Sequence, residues 1–334
     1  MIELILPENG SLIDTHTETQ NTFIRMIKEK GIDEALEWLL PVKDDKECSR
    51  PTEIKFEWKC DDAQEYTFEL SESDDFALAE TIKTKEKFLY VTNLKIGQKY
   101  FWRVNGCEPS CFETLDNEYR FINIDGVLNV RDVGGIKIKQ GLLYRGADVD
   151  HEYKISDEGI ETFVNQLKIK TQMSLRKEHP EEPPFSAFSD KVNYKRLPYR
   201  PYVEIFYDEY RNGVRNIMEY LTDESNYPIY FHCAGGADRT GMIAMYLRAL
   251  MGESEEEILI DYELTSLSTY AMGLIEGVRA RGFRNRNNDY FVDFLDRLGY
   301  DKKEKNLVEK IKAFLYECGV TEEVVEKIKS IIAK

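Results

Sequence analysis

The chain has 334 residues, 42% of them hydrophobic and 12% aromatic, which is more than one core usually organises, so two domains are expected. A formal net charge of −17 sets the overall field against nucleic acid and against stable association with an anionic membrane surface, so an anionic substrate must be drawn in locally by placed arginines and backbone amides. No apolar run reaches the length of a membrane span, and the N-terminus MIELILPENGSLID lacks the basic start and cleavage site of a secretory signal, so cytoplasmic residence is the expectation. Cysteines at 48, 60, 107, 111, 233 and 318 are too sparse for a disulfide framework and read as reduced thiols. A zinc set drawn from Cys48, Cys60, Cys107 and Cys111 lacks the usual knuckle spacing and a nearby histidine, so neither metal nor cofactor is expected.

In chain order, residues 17 to 40 come first with Phe23, Ile24, Ile27, Leu36, Leu39 and Leu40 at helical spacing, which predicts one or two helices inserted after a first strand. Residues 53 to 60, EIKFEWKC, then alternate strictly and place Ile54, Phe56, Trp58 and Cys60 on one face of a half-buried strand. The same period recurs in EYTFEL, KFLYVTNL and QKYFWRVN, with turn signals between, which predicts a small antiparallel sandwich. Within it, FLYVTNLKIGQKYFWRV resembles the late strands of a fibronectin type III module. The helical stretch departs from that module. A boundary near 118 is expected, giving a mainly β-sandwich domain with a helical insertion over 1–118 and a second domain over 119–334.

Beyond the boundary, strand and helix patterns alternate, as in an α/β domain. KTQMSL and YPIYFHC read as buried strands, and DEGIETFVNQL and DEYRNGVRNIMEYL as amphipathic helices. The tail is a series of helices, with Gly319 as a stop and Thr321 as a start.

Between an apolar strand and the apolar run TGMIAMYLRALMG stands HCAGGADRTG, residues 232 to 241. A strand, a tight loop and a helix in that order turn backbone N–H groups inward and add the positive helix end, which suits a phosphate. Gly235 and Gly236 allow the chain to curl, with Ala234 and Ala237 contributing amides to the same cradle. Arg239 offers a planar fork to two phosphate oxygens. Such a field also favours the thiolate of a cysteine at the loop's base, and thiolate is the nucleophilic form, so Cys233 reads as a nucleophile toward phosphorus. Thr240 can donate to the departing thiolate, and His232 reads as loop support because its side chain points away from the ligand. An inert buried cysteine beside a glycine turn is the bland alternative, and fast alkylation at about pH 6 would separate the two.

This loop resembles the signature of cysteine-dependent protein tyrosine phosphatases, in particular the bacterial tyrosine/serine branch whose loop reads H-C-x-x-G-K-D-R-T-G. GVLNVRDVGGI, GLLYRGADV, KTQMSLRKEHPEE, DYELT and LYECGVTEEVVEKIKSII also resemble segments of that branch, in order, over residues 120 to 334. The resemblance implies an α/β catalytic domain of protein tyrosine phosphatase type, with a central sheet flanked by helices. It sets Asn129 and Asp132 beside the loop as supports, and Arg131, Arg145 and Arg176 as substrate contacts or braces, while the residues alone leave RDVGG open as an ordinary glycine turn with an exposed Arg131. Two positions depart: the family's loop lysine is Ala237, and the aspartate of its D-L-R segment is Ser174. The general acid is thereby reopened. Asp238 is the first candidate, with loop bracing as its alternative role, and Asp208 is a weaker one, read mainly as solvated surface. Tyr199 and Tyr202 are candidates for the wall of an aromatic pocket, or plain packing.

The reading that follows is a phosphomonoester hydrolase acting on phosphotyrosine, with phosphoserine or phosphothreonine as further substrates, through a phosphocysteine intermediate. Its partners are a phosphorylated protein or a small phosphomonoester. Alternatives are a phosphoinositide or inositol phosphate phosphatase, a phosphate-reading pseudophosphatase, an adhesion-type protein whose sandwich is the working part, and a sulfurtransferase.

Overall fold

The computed structural model describes residues 2–43, 46–60, 65–150, 154–177, 186–188, 190–269 and 289–334. The chain divides into two compact units, one of residues 1–17 and 51–120, the other of residues 18–50 and 121–334.

In the first unit, β1 (Glu3–Leu6), β3 (Ile54–Lys59) and β6 (Phe88–Val91) form a three-stranded sheet in the order β1-β3-β6. The strands β2 (Ser11–Ile13), β4 (Tyr66–Ser71), β5 (Glu80–Thr84), β7 (Lys99–Val104) and β8 (Ser110–Thr114) form a second, in the order β2-β8-β7-β4-β5. The alternation read in the sequence is what makes the core: Ile54, Phe56, Trp58 and Cys60 are buried together with Phe68, Trp102 and Phe112. Phe56 sits at the centre, edge-on to Phe68, Trp102 and Phe112 at 4.9, 5.2 and 5.7 Å between ring centroids. Each such pair adds about 0.5–1.5 kcal/mol beyond the area it buries.

The second unit begins with the helical stretch, now resolved as α1 (Glu18–Lys30) and α2 (Ile32–Lys43). It interrupts the β-rich segment in sequence, but its contacts group it with the second unit. The physical reason is a pair of polar anchors: buried Lys43 donates through Nζ to the carbonyls of Ser266, at 2.8 Å, and Ser268, while Glu47 accepts from the Thr269 amide at 2.8 Å. Phe23, Ile24, Ile27, Leu36 and Leu39 are buried as the periodicity predicts, whereas Leu40 is exposed.

The remaining strands are β9 (Tyr119–Phe121), where the chain passes from one unit to the other, β10 (Arg131–Gly135), β11 (Leu143–Gly146), β12 (Thr171–Ser174), β13 (Asn193–Arg196) and β14 (Ile229–His232). The sheet order is β13-β12-β14-β11-β10-β9. Strands β13, β12, β14 and β11 run parallel, and β10 returns antiparallel to β11. Around them lie α3 (Asp157–Glu161), α4 (Asp208–Tyr220), α5 (Asp238–Leu250), α6 (Glu255–Glu263), α7 (Asp289–Leu298), α8 (Leu307–Glu317) and α9 (Glu322–Ile332). A parallel sheet covered on both faces needs strands that are apolar on both sides, and β14 shows it. Ile229 and Phe231 enter the core shared with α4, α5 and α8, while Tyr230 enters the opposite core with Phe163 and Phe188. Thr321 caps α9 by accepting from the Val324 amide, as its position before that helix predicts.

Candidate active site

Four parallel strands, β13, β12, β14 and β11, end in register at the same end of the sheet, and the segment from Cys233 to Ala237 leaves β14. Helix α5 then starts at Asp238 and is buried almost throughout from Thr240, so a strand end and a helix start are both fixed by the core.

What shapes the loop between them is a set of hydrogen bonds to its outer side. The carbonyl of Ala234 accepts from the Asp148 amide at 2.9 Å, that of Gly235 from Asn129 Nδ2 at 3.0 Å, and that of Gly236 from Arg145 Nη2 at 2.9 Å. Across a trans peptide the C=O of one residue and the N–H of the next point opposite ways. Three carbonyls held outward therefore turn the N–H groups of Gly235, Gly236 and Ala237 inward, toward the space over Cys233. Gly236 makes this possible: its φ is +67°, and a Cβ there would lie 2.4 Å from the carbonyl carbon of Gly146. The result is an anion cradle at a helix N-terminus.

Cys233 lies at its base, buried at 2% exposure, and Asp238 and Arg239 are half-buried on the first turn of α5. Thr240 Oγ1 is buried and has no hydrogen-bond partner among the described residues, so this hydroxyl is available to a neighbouring thiolate. His232 is fully buried. The Gln172 side chain accepts through Oε1 from the Ser186 hydroxyl and the Ala187 amide, both at 2.9 Å, so its Nε2 is left to donate to Asp150 Oδ2 and to His232 Nε2, each at 3.1 Å. The imidazole is thereby the tautomer protonated on Nδ1.

Burial, and then the charge of Arg176, push the His232 pKa down to about 3. A histidine held neutral in the fold and free to charge when unfolded contributes stability above its unfolded value of about 6.5, lost progressively as the pH falls toward the folded value. Urea unfolding of the wild type is expected to show stability falling from about pH 6.5 downward by up to about 1.4 kcal/mol per pH unit, with a flatter profile for His232→Asn. Equal slopes in the two proteins would contradict a neutral buried imidazole.

The three outlying arginines do not line the cradle. Arg131 and Arg145 are fully buried, and both reach Asp261: Arg145 Nη1 lies 2.6 Å from Oδ2, and Arg131 Nε lies 3.6 Å from Oδ1. Arg176 is buried against Asp148 at 3.1 Å and Asp150 at 2.5 Å. Of the two roles expected for them, substrate contact or brace, this geometry supports the brace, because the guanidiniums are turned to buried carboxylates. Arg145 still serves the loop, through the Gly236 carbonyl. Asn129 holds Gly235, and Asp132 accepts from the Gly134 and Gly141 amides, both at 2.7 Å, and so ties the β10–β11 connection.

Ser174 is buried, and its hydroxyl accepts from Arg176 Nε at 3.2 Å. Asp208 lies on the exposed start of α4, 3.6 Å from Arg211. Asp238 is placed differently. Its Oδ1 accepts from the Tyr202 hydroxyl, which lies 2.7 Å from that of Tyr262. Tyr199 is buried, with its hydroxyl 3.3 Å from both Met242 Sδ and Tyr246 Oη on α5. The same residue lines a cavity of about 410 Å³ with Lys177, Pro198, Arg200, Glu209 and Tyr210.

Sequence reasoning missed Asp261 and Tyr262 as functional residues, although DYELT contains both, and it missed Asp148 and Asp150 in the segment after β11. No group of three or more histidine, cysteine or acidic side chains suited to a metal occurs among the described residues. All six cysteines are free thiols. The EHPEE end of the segment from Lys170, residues 178–182, lies outside the described residues.

Residues 122–333 match the model of the tyrosine phosphatase family, and the chain belongs to that family. It is 24% identical over 170 residues to Putative tyrosine-protein phosphatase H16_A0669 of Cupriavidus necator, a match that takes in 41% of this chain and 60% of that protein's length. Among solved structures it is similar to the core catalytic domain of the PP-IP phosphatase SIW14 from S. cerevisiae in complex with citrate, at 17% identity and a TM-score of 0.30, over 51% of this chain and 93% of the other. It is also similar to OH1 from the Orf virus, described as a tyrosine phosphatase with triple substrate specificity, at 11% identity and a TM-score of 0.20, over 58% of this chain and 86% of that one.

Proposed function

We propose that the chain is a phosphomonoester hydrolase that removes phosphate from phosphotyrosine, and from phosphoserine or phosphothreonine as secondary substrates, through a phosphocysteine intermediate on Cys233. The observation that carries this reading is the loop whose Ala234, Gly235 and Gly236 carbonyls are held outward, leaving amides and Arg239 to surround a phosphoryl group over a buried thiol. Cys233 Sγ attacks phosphorus, the bond from phosphorus to the ester oxygen breaks, and Asp238 gives that oxygen its proton. Water then attacks the phosphocysteine, Asp238 takes a proton from it, and Thr240 donates to the departing sulfur. Arg239 and the amides stabilise the equatorial oxygens in both steps.

Two features favour a phosphorylated protein over a polyphosphorylated inositol or lipid. Ala237 removes one cation from the loop, and Arg131, Arg145 and Arg176 are buried against Asp261, Asp148 and Asp150, so their guanidiniums are turned to internal carboxylates rather than offered to further phosphates. The cavity beside Tyr199 gives a peptide segment somewhere to lie.

The same proposal assigns residues 1–118 to a fibronectin type III-like sandwich with a helical insertion, the insertion's contacts grouping it with the second unit, and residues 119–334 to the catalytic domain. Two sheets around one aromatic core support it, as does the corner at Tyr100, whose hydroxyl accepts from the Lys95 amide at 2.8 Å. A bacterial, cytoplasmic setting is proposed with it. Among the described residues no helix is long and apolar enough to cross a membrane.

The test is hydrolysis of a phosphotyrosine peptide, a phosphoserine peptide and a soluble phosphoinositide, with chelator present. Preference for the tyrosine peptide supports the proposal, and preference for the phosphoinositide replaces it with the lipid reading. Binding of vanadate without turnover of any of the three would make the loop a phosphate reader.

A further inference from the structure

Asp238 projects from the first turn of α5, and two tyrosines from elsewhere in the chain converge on it. Tyr202 donates to Oδ1, and the Tyr202 and Tyr262 hydroxyls are 2.7 Å apart. A phenol has one proton to give. Since that of Tyr202 goes to Asp238, the bond between the phenols runs from Tyr262 to Tyr202, and the order is Tyr262, Tyr202, Asp238. Burial first, and then the neighbouring charges, raise both phenols well above their ordinary value of 10.0, so both remain protonated donors throughout the range in which a phosphatase would work.

Neither tyrosine is placed casually. Tyr202 has a φ of +59°, a left-handed conformation that costs any residue with a side chain and that glycine would adopt freely. Tyr262 stacks on Phe291 at 4.5 Å between centroids. It also lies so close to α5 that a Cβ on Gly241 would come within 2.7 Å of its ring. The two hydroxyls are thus fixed by packing on both sides, independently of any substrate.

We infer that Tyr202, backed by Tyr262, is a positioning residue for the general acid, fixing which oxygen of Asp238 carries the transferable proton. The inference rests on the proposed role of Asp238 in ester cleavage. With Oδ1 committed to accepting from Tyr202, the proton of the neutral acid resides on Oδ2, the oxygen left to face the leaving group. As that proton passes to the ester oxygen, negative charge develops on the carboxylate, and the hydrogen bond from Tyr202 strengthens because its acceptor becomes ionic. Tyr262, donating to Tyr202, strengthens it further. The pair therefore stabilises the transition state more than the ground state, which is the condition for raising the rate. In the second step the same carboxylate, held in the same orientation, receives the proton of the attacking water.

The test compares 4-nitrophenyl phosphate, whose leaving group needs little protonation, with phenyl phosphate, whose leaving group needs it. Tyr202→Phe is expected to lower kcat/KM about 10-fold for phenyl phosphate and less than about 3-fold for the nitrophenyl ester. Asp238→Asn should show the same selectivity at larger size, about 100-fold or more for phenyl phosphate. Tyr202→Phe added to Asp238→Asn should cost nothing further, because its effect passes through the missing acid. If Tyr202→Phe does not fold, Tyr262→Phe carries the same test with a smaller expected loss. Equal losses on both esters, or an additive double variant, would overturn the positioning role while leaving the phosphatase intact. Indifference of phenyl phosphate cleavage to Asp238→Asn would remove Asp238 as the acid and the inference with it, and a wild type inactive on both esters would overturn the proposed function as well.

Discussion

Cys233→Ser is expected to lower kcat/KM for any phosphomonoester by about 10⁴-fold or more, with little change in melting temperature. A serine hydroxyl placed in the same cradle keeps its proton at neutral pH, and Asp238, which must carry its own proton as the acid of this step, is not free to take it. The electrostatic contribution of the amides and Arg239 persists, so the variant should still bind vanadate or a phosphorylated peptide. Removing one sulfur and replacing it with oxygen at a site only 2% exposed changes volume slightly and leaves the three outward carbonyl bonds untouched. Arg239→Lys is the companion variant. A point charge replaces a planar fork on two oxygens, and a loss of about 10²–10³-fold in kcat is expected, at near-constant stability. Steady-state kinetics on one aryl phosphate, together with thermal melts, suffice for both. Should Cys233→Ser retain more than about 1% of wild-type activity, a phosphocysteine intermediate could not be sustained.

Why the nucleophile could be read in the sequence while its supports could not is a matter of distance along the chain. Cys233, Gly236, Arg239 and Thr240 fall within one turn and the helix that follows it, so their chemistry is written in adjacent letters. Strand β3 was equally legible, because a half-buried strand alternates and EIKFEWKC does so without exception. Strand β13, by contrast, reads Asn193, Tyr194, Lys195, Arg196 and lies at the sheet's edge with no fully buried residue, so no period marks it. Arg131 and Arg145 were visible as candidates, but their role depends on a carboxylate 130 and 116 residues further on, and nothing local distinguishes a brace from a phosphate ligand. Tyr202 and Asp238 are 36 residues apart and meet only because α5 and the turn at Tyr202–Phe206 pack together. Helices α1 and α2 are recognised as helices, yet the bonds of Lys43 and Glu47 to residues 266–269, which tie them into the second unit, come from polar residues that an apolar periodicity does not register.

Asp261→Asn should be the most destabilising single substitution in the site, about 3–5 kcal/mol, and it should also weaken catalysis. The carboxylate lies among three guanidiniums: Arg145 at 2.6 Å, Arg248 at 3.4 Å and Arg131 at 3.6 Å. Burial alone would push its pKa up, but the three positive charges outweigh burial and hold it well below the usual carboxylate range. Burial and the adjacent Arg145 in turn push the Arg131 guanidinium down to about 9, which leaves it charged at neutral pH. An asparagine keeps the shape and removes the carboxylate that Arg131 and Arg145 share, so two buried cations lose their common counter-charge, while Arg248 retains Glu253 at 2.5 Å. Arg145 then has less reason to stay aligned with the Gly236 carbonyl, and the loop loses one of its three outward ties. Because the folded pKa is depressed, the wild-type advantage is fully present above the unfolded value of about 3.9 and is lost only as the pH falls through the lower folded value. The gap between wild type and Asp261→Asn in urea unfolding should therefore stay constant from about pH 8 to about pH 4, even though the stability of both falls over part of that range as His232 resists protonation. A gap that closes already near pH 6 would mean that the carboxylate is not held ionised by its arginines, and that the loop is braced from elsewhere.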